Sequence, residues 1–581
     1  MSSEASPARF RFATARSSRT LLACVLLGSI AATGIIVGAA LLVAFDAYSA
    51  LPFWDQWQFI SPAVILARLF EQHNEHRALL TKLITLLDED AFGGGYLLNF
   101  AIIYVTQAVH AGFLIVLAAR AGLRGRPEIV LAALVAVSAL FTVHQHENLT
   151  WGFQTSFVIV FAAATAAFLS LARYAETRRG LHFALTILAG AVATSEMANG
   201  VLVGLIVVAL AAVLRLPWRA IAVLALAATL LLAAYVATYS PASHHSNLGA
   251  SLAHPLQLAA YVFTYVGGIA GRTLTAGPLE FVGRHVDEVT LAIACGAVIC
   301  LVNLLVLVRS LTTRAEIRPA IYALLATNLF VVATATITGL GRVSFGLEQA
   351  LASRYSTGGA IMIAATFILL LAPGVVPSFG RCGRGVAAAA CFVLLAFLIV
   401  AQARFIRVAE QQRINNDLAA SALLANVADT DALRQTFLHL DYIERGARYL
   451  KSQKLSIYAD PWSGWLGHAL TQFAVPPQSV CAGKIDTPHS ISGADGARVG
   501  GLVSASPFML RPRLVLIDSR QQVVGYAFVH SRLDLVWAYR PLRRPVVETA
   551  WAGHVRLEHQ PPLRAVLMDR RNNPICIVGA S

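Results

Sequence analysis

The sequence has few charged residues and almost no lysine. Asp, Glu, Lys and Arg together make up 13% of its 581 residues, and the basic residues are nearly all arginine. Soluble proteins carry about 25% charged residues, so this composition excludes an ordinary soluble enzyme. Hydrophobic residues make up 57% of the chain and the mean hydropathy is +0.65. These values predict a polytopic membrane protein.

The sequence also lacks the motifs of several enzyme classes. It contains no P-loop, no dinucleotide-binding glycine motif and no nucleophile elbow. None of its 7 cysteines has zinc-site spacing. The net charge of +14 could suggest a nucleic-acid partner. However, the arginines lie in short clusters between apolar segments, which is typical of cytoplasmic loops, and we expect no nucleic-acid binding.

Eleven apolar segments of about 16–25 residues predict about eleven transmembrane helices. They cover roughly residues 20–45, 97–119, 128–143, 153–172, 181–196, 200–214, 218–238, 289–309, 319–340, 356–373 and 386–403. Five connecting loops are basic, at 120–126, 173–179, 215–219, 309–318 and 381–384. The positive-inside rule places these loops and an N-terminal tail, residues 1–19, in the cytoplasm. We therefore expect a multi-pass protein of the bacterial inner membrane, with residues 20–404 forming the membrane domain.

The chain changes character after about residue 405. A helical, more charged stretch is followed by short β-prone runs at 499–503, 513–518, 523–529, 552–557 and 563–569. This pattern predicts a periplasmic domain over residues 405–581, with a helical linker and then a β-sandwich. The expected fold is thus mainly α, with a C-terminal extracytoplasmic α+β or β-sandwich domain. Cys481 and Cys576 could form a disulfide there, but sequence cannot report their separation.

Polar residues gather in the loops predicted on the outer face. The first such loop contains Pro52-Phe-Trp-Asp-Gln-Trp57 and Glu71-Gln-His-Asn-Glu-His-Arg77. The candidate site residues in this loop are Trp54, Asp55, Trp57, His73, Glu75, His76 and Arg77. Later outer loops contribute Glu147, Asn148, Trp151, Gln154, Glu196, Asn199, Arg342, Arg354 and Tyr355. A long loop near residues 239–288 adds His244, His245, Arg284 and His285 as weaker candidates for an acceptor entrance.

The layout of the first 400 residues resembles the C-type (GT-C) glycosyltransferases. These polytopic enzymes take a sugar from a polyprenyl-phosphate carrier, and an Asp or Glu in the first outer loop commonly serves as base. The Trp-Asp-Gln-Trp, Asn-Glu-His-Arg, Glu-Asn-Leu-Thr-Trp-Gly-Phe-Gln and Ser-Arg-Tyr motifs look like those of a poorly characterised bacterial group of this type. The resemblance implies Asp55 as the catalytic base, a polyprenyl-phosphate sugar donor and an envelope glycan, lipid or protein acceptor.

The residue types agree with that chemistry. Inverting transfer needs a base that takes the proton of the acceptor hydroxyl. Asp55 lies between two tryptophans that could pack on sugar faces, and Arg354 with Arg342 could bind a phosphate. Glu75 remains an alternative base, because we expect residues 73–77 on an amphipathic helix in the same loop. We expect no cofactor, and a divalent metal held by the histidines and Glu75 is the weaker alternative.

Each candidate also has a structural interpretation. The tryptophans could form an interfacial belt, Asp55 could cap the next helix, and the arginines could contact lipid headgroups nonspecifically. Two other functions compete with an enzyme, namely a transporter or flippase of lipid-linked glycans and a non-catalytic envelope-assembly protein. A transporter would more often place its polar groups at mid-membrane, whereas those of this chain lie in the predicted outer loops.

Overall fold

The computed structural model describes residues 7–60, 69–123, 125–240, 251–276, 286–312, 318–375, 381–505, 512–530, 547–556 and 562–578. The weaker loop candidates at 244, 245, 284 and 285 lie outside these ranges. Helices occupy the described chain up to residue 453, and strands follow from residue 480. The protein is therefore a helical body with a β-rich C-terminal domain.

The first half of the chain forms ten helices among its described residues. They are α1 (Pro7–Asp46), α2 (Gln56–Phe59), α3 (Leu79–Phe92), α4 (Leu97–Arg120), α5 (Arg126–Phe141), α6 (His146–Thr150), α7 (Thr155–Thr177), α8 (Gly180–Glu196), α9 (Val201–Val213) and α10 (Trp218–Val236). Seven more follow in the described part of the second half. They are α11 (Pro255–Leu274), α12 (Glu288–Thr312), α13 (Pro319–Arg342), α14 (Ser356–Leu371), α15 (Arg381–Ala425), α16 (Thr430–Arg434) and α17 (Leu440–Gln453).

Nine helical segments within the described ranges are long and apolar enough to cross a membrane. They correspond to nine of the eleven predicted spans, and a multi-pass membrane protein is confirmed at that level. The other two predicted spans form α8, of 17 residues, and α9, of 13 residues. A perpendicular crossing needs about 20 residues, so these two helices are short for independent spans.

Helix α11 corrects the prediction of a long loop between residues 239 and 288. It has 20 residues and buries one face, which includes Tyr261, Tyr265 and Ile269 at helical spacing. Gly267 and Gly271 approach α12 so closely that a Cβ at either position would meet the backbone of Ala292 at 2.0 and 2.8 Å. Glycine, tyrosine and threonine lower the apolar character of this segment. For that reason its pattern did not stand out as a membrane helix.

The C-terminal domain contacts one end of the helical body, which we call the tail-side face. Trp54 N–H donates to the Thr436 carbonyl at 2.7 Å. Ser456 Oγ donates to the Ala50 carbonyl at 2.6 Å. Helix α15 continues for 45 residues, through residue 404 and into the C-terminal domain. One continuous helix and the loop after α1 therefore join the two parts.

Nine strands follow in the described chain. They are β1 (Val480–Cys481), β2 (Gly483–Ile485), β3 (His489–Ser490), β4 (Gly496–Ala505), β5 (Arg513–Ile517), β6 (Val523–Val529), β7 (Val547–Arg556), β8 (Arg564–Met568) and β9 (Pro574–Val578). Their order is β1-β9-β8-β5-β6-β7-β4-β2, with β3 paired to β4. Only the β1–β9 pairing is parallel; the other pairings are antiparallel.

The predicted β-sandwich is corrected to a single curled sheet. Its terminal strands β1 and β2 are separated in sequence by Ala482 alone. Consecutive Cα atoms are about 3.8 Å apart, so the two edges of the sheet must lie next to each other. The sheet thus closes into a barrel-like form, and closure protects its edges. Cys481 and Cys576 form a disulfide across β1 and β9, which answers the question left open by the sequence.

Candidate functional site

Asp55 lies on a turn that is fixed from both sides. Trp54 has a positive φ of 48° and contacts the C-terminal domain through its N–H. Trp151 Nε1 donates to the Phe53 carbonyl at 3.0 Å from the helical body. Asp55 precedes α2, but its side chain makes no capping hydrogen bond. The capping interpretation of Asp55 is therefore wrong, and its carboxylate projects from a rigid support.

The motif at residues 73–77 forms a tight turn rather than the expected amphipathic helix. His73 and His76 form a β-bridge, with reciprocal backbone hydrogen bonds of 2.8 Å. Asn74 adopts a left-handed φ of 49°, which asparagine tolerates better than most residues. The polar residues at 73–77 have a spacing that fits a helix, but a run of five residues is too short to determine whether a helix or a turn forms. Helix α3 begins afterwards, at Leu79.

This turn brings two carboxylates and two histidines to the tail-side face. His73 Nε2 lies 3.7 Å from Asp55 Oδ2. His76 Nε2 lies 3.5 Å from Glu75 Oε1, and Arg342 lies 3.4 Å from the same oxygen. The Asp55 side chain is 24% exposed and that of Glu75 is 14% exposed. We call Asp55, His73, Glu75, His76 and Arg342 the loop cluster.

His76 is the neutral member of the loop cluster. Its Nδ1 accepts a hydrogen bond from Ala198 N–H at 3.2 Å, so the ring proton resides on Nε2, toward Glu75. Burial lowers the pKa of His76 from 6.5 to about 4, against the opposing effect of Glu75. At neutral pH this imidazole can therefore donate a hydrogen bond without carrying charge.

Glu147 and Arg354 form a second pair at the same face. Glu147 Oε1 lies 3.5 Å from the Arg354 guanidinium, and Oε2 accepts the Arg354 N–H at 2.9 Å. Asn148 supports the pair by donating to the Arg354 carbonyl at 2.8 Å and to Thr357 at 2.7 Å. Asp55 interacts electrostatically with both His76 and Arg354. This member of the loop cluster therefore lies within electrostatic range of the Glu147–Arg354 pair.

Several predicted site residues instead hold the structure together. Trp57 is 1% exposed and packs against Gly446 of α17. Trp151 is also buried, where it supports the Asp55 turn. Of the three tryptophans, only Trp54 is exposed, at 38%. The expectation that the two tryptophans beside Asp55 pack on sugar faces therefore reduces to Trp54.

Glu196 and Asn199 fasten helices. The Glu196 carboxylate accepts Leu80 N–H and Thr81 Oγ1–H, each at 2.6 Å, and so caps the start of α3. Asn199 donates to Thr334 of α13 at 3.1 Å. Both side chains are buried. They help to position the loop cluster, because α3 follows residues 73–77 directly in the chain.

The remaining predicted residues lie apart from the loop cluster. Tyr355 is buried and stacks on Tyr265 of α11, with ring centroids 5.3 Å apart. Gln154 is fully buried, and neither atom of its amide has a partner among the described residues. Arg77 turns toward α10, where it donates to the Tyr235 carbonyl at 2.6 Å and covers the Tyr235 ring.

Arg77 lines a separate, mainly apolar cavity of about 330 Å³ between α8, α10 and the first loop. Its other walls include Leu69, Phe70, Leu79 and Leu231. Arg77 has no carboxylate partner among the residues that the structure describes. The cavity therefore combines an arginine with an apolar wall at the ends of membrane helices.

Sequence reasoning missed a third group of charges at this face. Arg272 at the end of α11 lies 3.7 Å from Glu288, and Arg404 of α15 pairs with the same carboxylate. Tyr261 of α11 is fully buried, and its hydroxyl has no partner in the described part of the chain. Because α11 was read as loop, no spacing signal pointed to Arg272 or Tyr261.

Among the described residues, no group of three or more His, Cys, Asp and Glu side chains is arranged to hold a metal ion. The fold defines a multi-pass membrane protein whose polar clusters lie beneath a C-terminal β domain. A scan with protein-family models found no match to this sequence, and a search of curated proteins found none either.

Proposed function

We propose that the protein is an inverting membrane glycosyltransferase that moves a sugar from a polyprenyl-phosphate donor to an envelope glycan, lipid or protein. The observation that carries the proposal is the position of Asp55. A partly exposed carboxylate stands on a turn that is held from both sides, beside an exposed tryptophan, in a cluster that contains Arg342 and within electrostatic range of Arg354. The tail-side face would be periplasmic in the bacterial inner membrane.

In this reaction the acceptor hydroxyl oxygen forms a bond to the anomeric carbon as the bond to the phosphate oxygen breaks. The hydroxyl proton passes to the Asp55 carboxylate, and the polyprenyl phosphate leaves with the bonding electron pair. Trp54 supplies an aromatic face for a sugar ring. His73 lies close enough to orient the Asp55 carboxylate.

Asp55 is the better base of the two carboxylates in the loop cluster. Glu75 faces both Arg342 and His76 through the same oxygen, and it is less exposed than Asp55. These two contacts hold the Glu75 carboxylate in place, whereas the more exposed Asp55 carboxylate is accessible to a substrate hydroxyl. The role of Glu75 is therefore to position Arg342 and His76.

Three arginines at the tail-side face suit a phosphate. Arg342 and Arg354 each form an ion pair with a glutamate. Each guanidinium would bind its glutamate and an incoming anion at the same time. Arg77 has none among the described residues and lines an apolar cavity. We therefore add Arg77, a candidate substrate-binding residue of the first outer loop, to the phosphate ligands, since a lipid phosphate brings both an anion and an apolar chain.

The test is incubation of purified full-length protein with a panel of polyprenyl-phosphate sugars, followed by detection of released polyprenyl phosphate. Asp55→Asn should reduce turnover by about 100- to 10,000-fold, the usual contribution of a general base. Asp90→Asn, at an exposed carboxylate on α3, is the matched control and should turn over normally.

Normal turnover by a folded Asp55→Asn protein would overturn the assignment of the base. Release of no lipid phosphate from any donor, combined with transport of a lipid-linked sugar across reconstituted vesicles, would instead favour a transporter. Both outcomes can be read from the same preparation.

A further inference from the structure

A second cavity lies between the C-terminal domain and the helical body. Its volume is about 550 Å³, within the range of about 300–1,000 Å³ that small-molecule sites occupy. The helical body contributes Tyr48 to Ala50, Phe92, Gly93 and Gly95, and the C-terminal domain contributes the remainder of the wall. Asp55 and the other members of the loop cluster do not line it. The cavity is therefore distinct from the proposed active site.

The polar part of the wall alternates arginine with carboxylate. Arg413 lies 3.1 Å from Asp417, and Arg513 forms an ion pair with Asp460. Asn572 Nδ2 donates to Asp460 Oδ1 at 2.7 Å. The Asp460 carboxylate keeps lone pairs for a further donor, and the Arg513 guanidinium keeps N–H groups for a further acceptor. The wall thus presents donors and acceptors side by side.

Two groups in the wall have hydrogen-bonding capacity left over. The Asn572 side-chain carbonyl is buried and accepts no hydrogen bond from the residues described here. Arg570 lies over the Phe45 ring, 5.0 Å from its centroid, and has no carboxylate partner in the described ranges. One group needs a donor and the other needs an acceptor.

This combination distinguishes between ligand classes. A sulfate offers only acceptors at neutral pH, and a phosphate keeps P–OH groups but is also negatively charged, so either anion would meet Asp417, Asp460 and the Asn572 carbonyl unfavourably. A sugar hydroxyl both donates and accepts, so it can satisfy all of these groups at once. The wall therefore fits a polyhydroxylated ligand better than a simple anion.

Aromatic side chains complete the wall. Phe92 is 53% exposed at the end of α3, and the half-buried Phe528 contributes from the C-terminal domain. Aromatic residues provide large apolar contact area with a fixed geometry. The C–H faces of a sugar ring are the complementary surface.

We propose that this junction cavity is a binding site for a short glycan. Arg570 and the Asn572 carbonyl bind ring hydroxyls, and the Arg513–Asp460 ion pair binds the adjacent hydroxyls. The assignment does not depend on catalysis at Asp55. If the transferase proposal holds, the glycan at this site would be part of the acceptor, held between the membrane body and the β domain.

The test is equilibrium binding to the full-length protein in detergent micelles, by saturation-transfer NMR. The probes are disaccharides of glucose, galactose, mannose and N-acetylglucosamine, with inorganic phosphate as the anion probe. We expect at least one disaccharide to bind at millimolar concentration. Arg570→Ala and Asn572→Gly should each weaken binding about fivefold to tenfold, the usual effect of losing one hydrogen bond. Glycine is chosen because residue 572 has a φ of 64°.

Arg571→Ala is the matched control, because Arg571 is exposed next to Arg570 and does not line the cavity. It should bind like the unaltered protein, and so should Asp55→Asn. The proposal is overturned if no disaccharide binds, if only phosphate binds, or if binding survives both cavity variants unchanged. Because the readout is binding, its failure is separate from failure of the turnover assay.

Discussion

Within the described ranges, acidic and histidine side chains meet at the loop cluster and where α15 packs on the sheet. In the loop cluster the contacts of Asp55, Glu75 and their partners measure 3.4–3.7 Å, and both carboxylates retain exposure. At the sheet, Asp429 lies 2.8 Å from His554 Nε2 and 2.5 Å from Arg498, and it is fully buried. The same residue types are thus loosely held in one place and tightly held in the other.

The tight cluster has the order of contacts of a nucleophilic triad. Ser421 Oγ lies 2.8 Å from His554 Nδ1, and the opposite ring nitrogen faces Asp429. A catalytic serine must reach substrate. Ser421 is fully buried and also bonds the Leu418 carbonyl at 2.7 Å. These residues therefore connect α15 to β7. The two clusters contain similar residue types, and they differ in whether a substrate can reach them.

The largest expected effect on stability comes from removing the carboxylate of the tight cluster. Asp429→Ala leaves His554 and Arg498 without their partner and removes the cap of α16, where Asp429 Oδ1 accepts Ala432 N–H at 3.0 Å. Breaking a buried pair costs about 3–5 kcal/mol. Denaturant unfolding followed by tryptophan fluorescence would measure the loss, because Trp551 lies in the barrel core.

Asp431→Ala is the control, since Asp431 is exposed in the same turn, and it should change stability by about 0.5 kcal/mol or less. Asp55→Asn should cost less than about 1 kcal/mol, as expected for a partly exposed pair. Equal losses in the Asp429 and Asp55 variants would remove the contrast between the two clusters.

Much of the architecture could be predicted from composition and hydrophobic pattern. Nine long apolar runs became helices, and the β-prone runs after residue 499 became strands. Barrel closure could not be predicted, because it depends on strand order rather than on any one run. Helix α11 was missed because its tyrosines and glycines serve close packing against α12 and α14, which a one-dimensional pattern does not report.

The candidate site was predicted only in part, because sequence reports residue type and not access. Asp55, His73, Glu75, His76 and Arg342 do come together. Trp57 and Glu196 have the same side chains as Trp54 and Glu75, but both are buried, Trp57 as a packing residue and Glu196 as a capping residue. The partners that decide these roles lie more than 100 positions away, as Leu80 does from Glu196.

The two clusters should also respond to acid in different windows. Burial lowers the pKa of His76 from 6.5 to about 4. Between these values the unfolded chain binds a proton that the folded protein does not, so stability falls as pH falls, by up to about 3 kcal/mol. His76→Gln should flatten this dependence in thermal melts, and His489→Gln, at an exposed strand residue, should not.

Asp429 acts at lower pH. Burial raises its pKa, but hydrogen bonds from His554 and Arg498 outweigh burial and hold the pKa below the ordinary value of 3.8. Its contribution to stability is present above that value and is lost as pH falls below it. Burial also lowers the pKa of His530 to about 4, so part of the loss remains in His76→Gln. A loss between pH 6.5 and 4 that is as large in His76→Gln as in the unaltered protein would contradict the role of His76 in the upper window.

The smallest expected effect separates the two carboxylates of the loop cluster. Glu75→Gln keeps the size of the side chain but removes the charge that faces Arg342 and His76. If Glu75 positions a phosphate-binding arginine, the variant should lose about tenfold in kcat/KM, mainly through a higher KM for the donor. Glu71→Gln, exposed in the same loop, is the control and should leave both constants unchanged. A loss in kcat as large as that of Asp55→Asn would make Glu75 the base, and the loosely held cluster would then have its reactive carboxylate at the arginine rather than beside the exposed tryptophan.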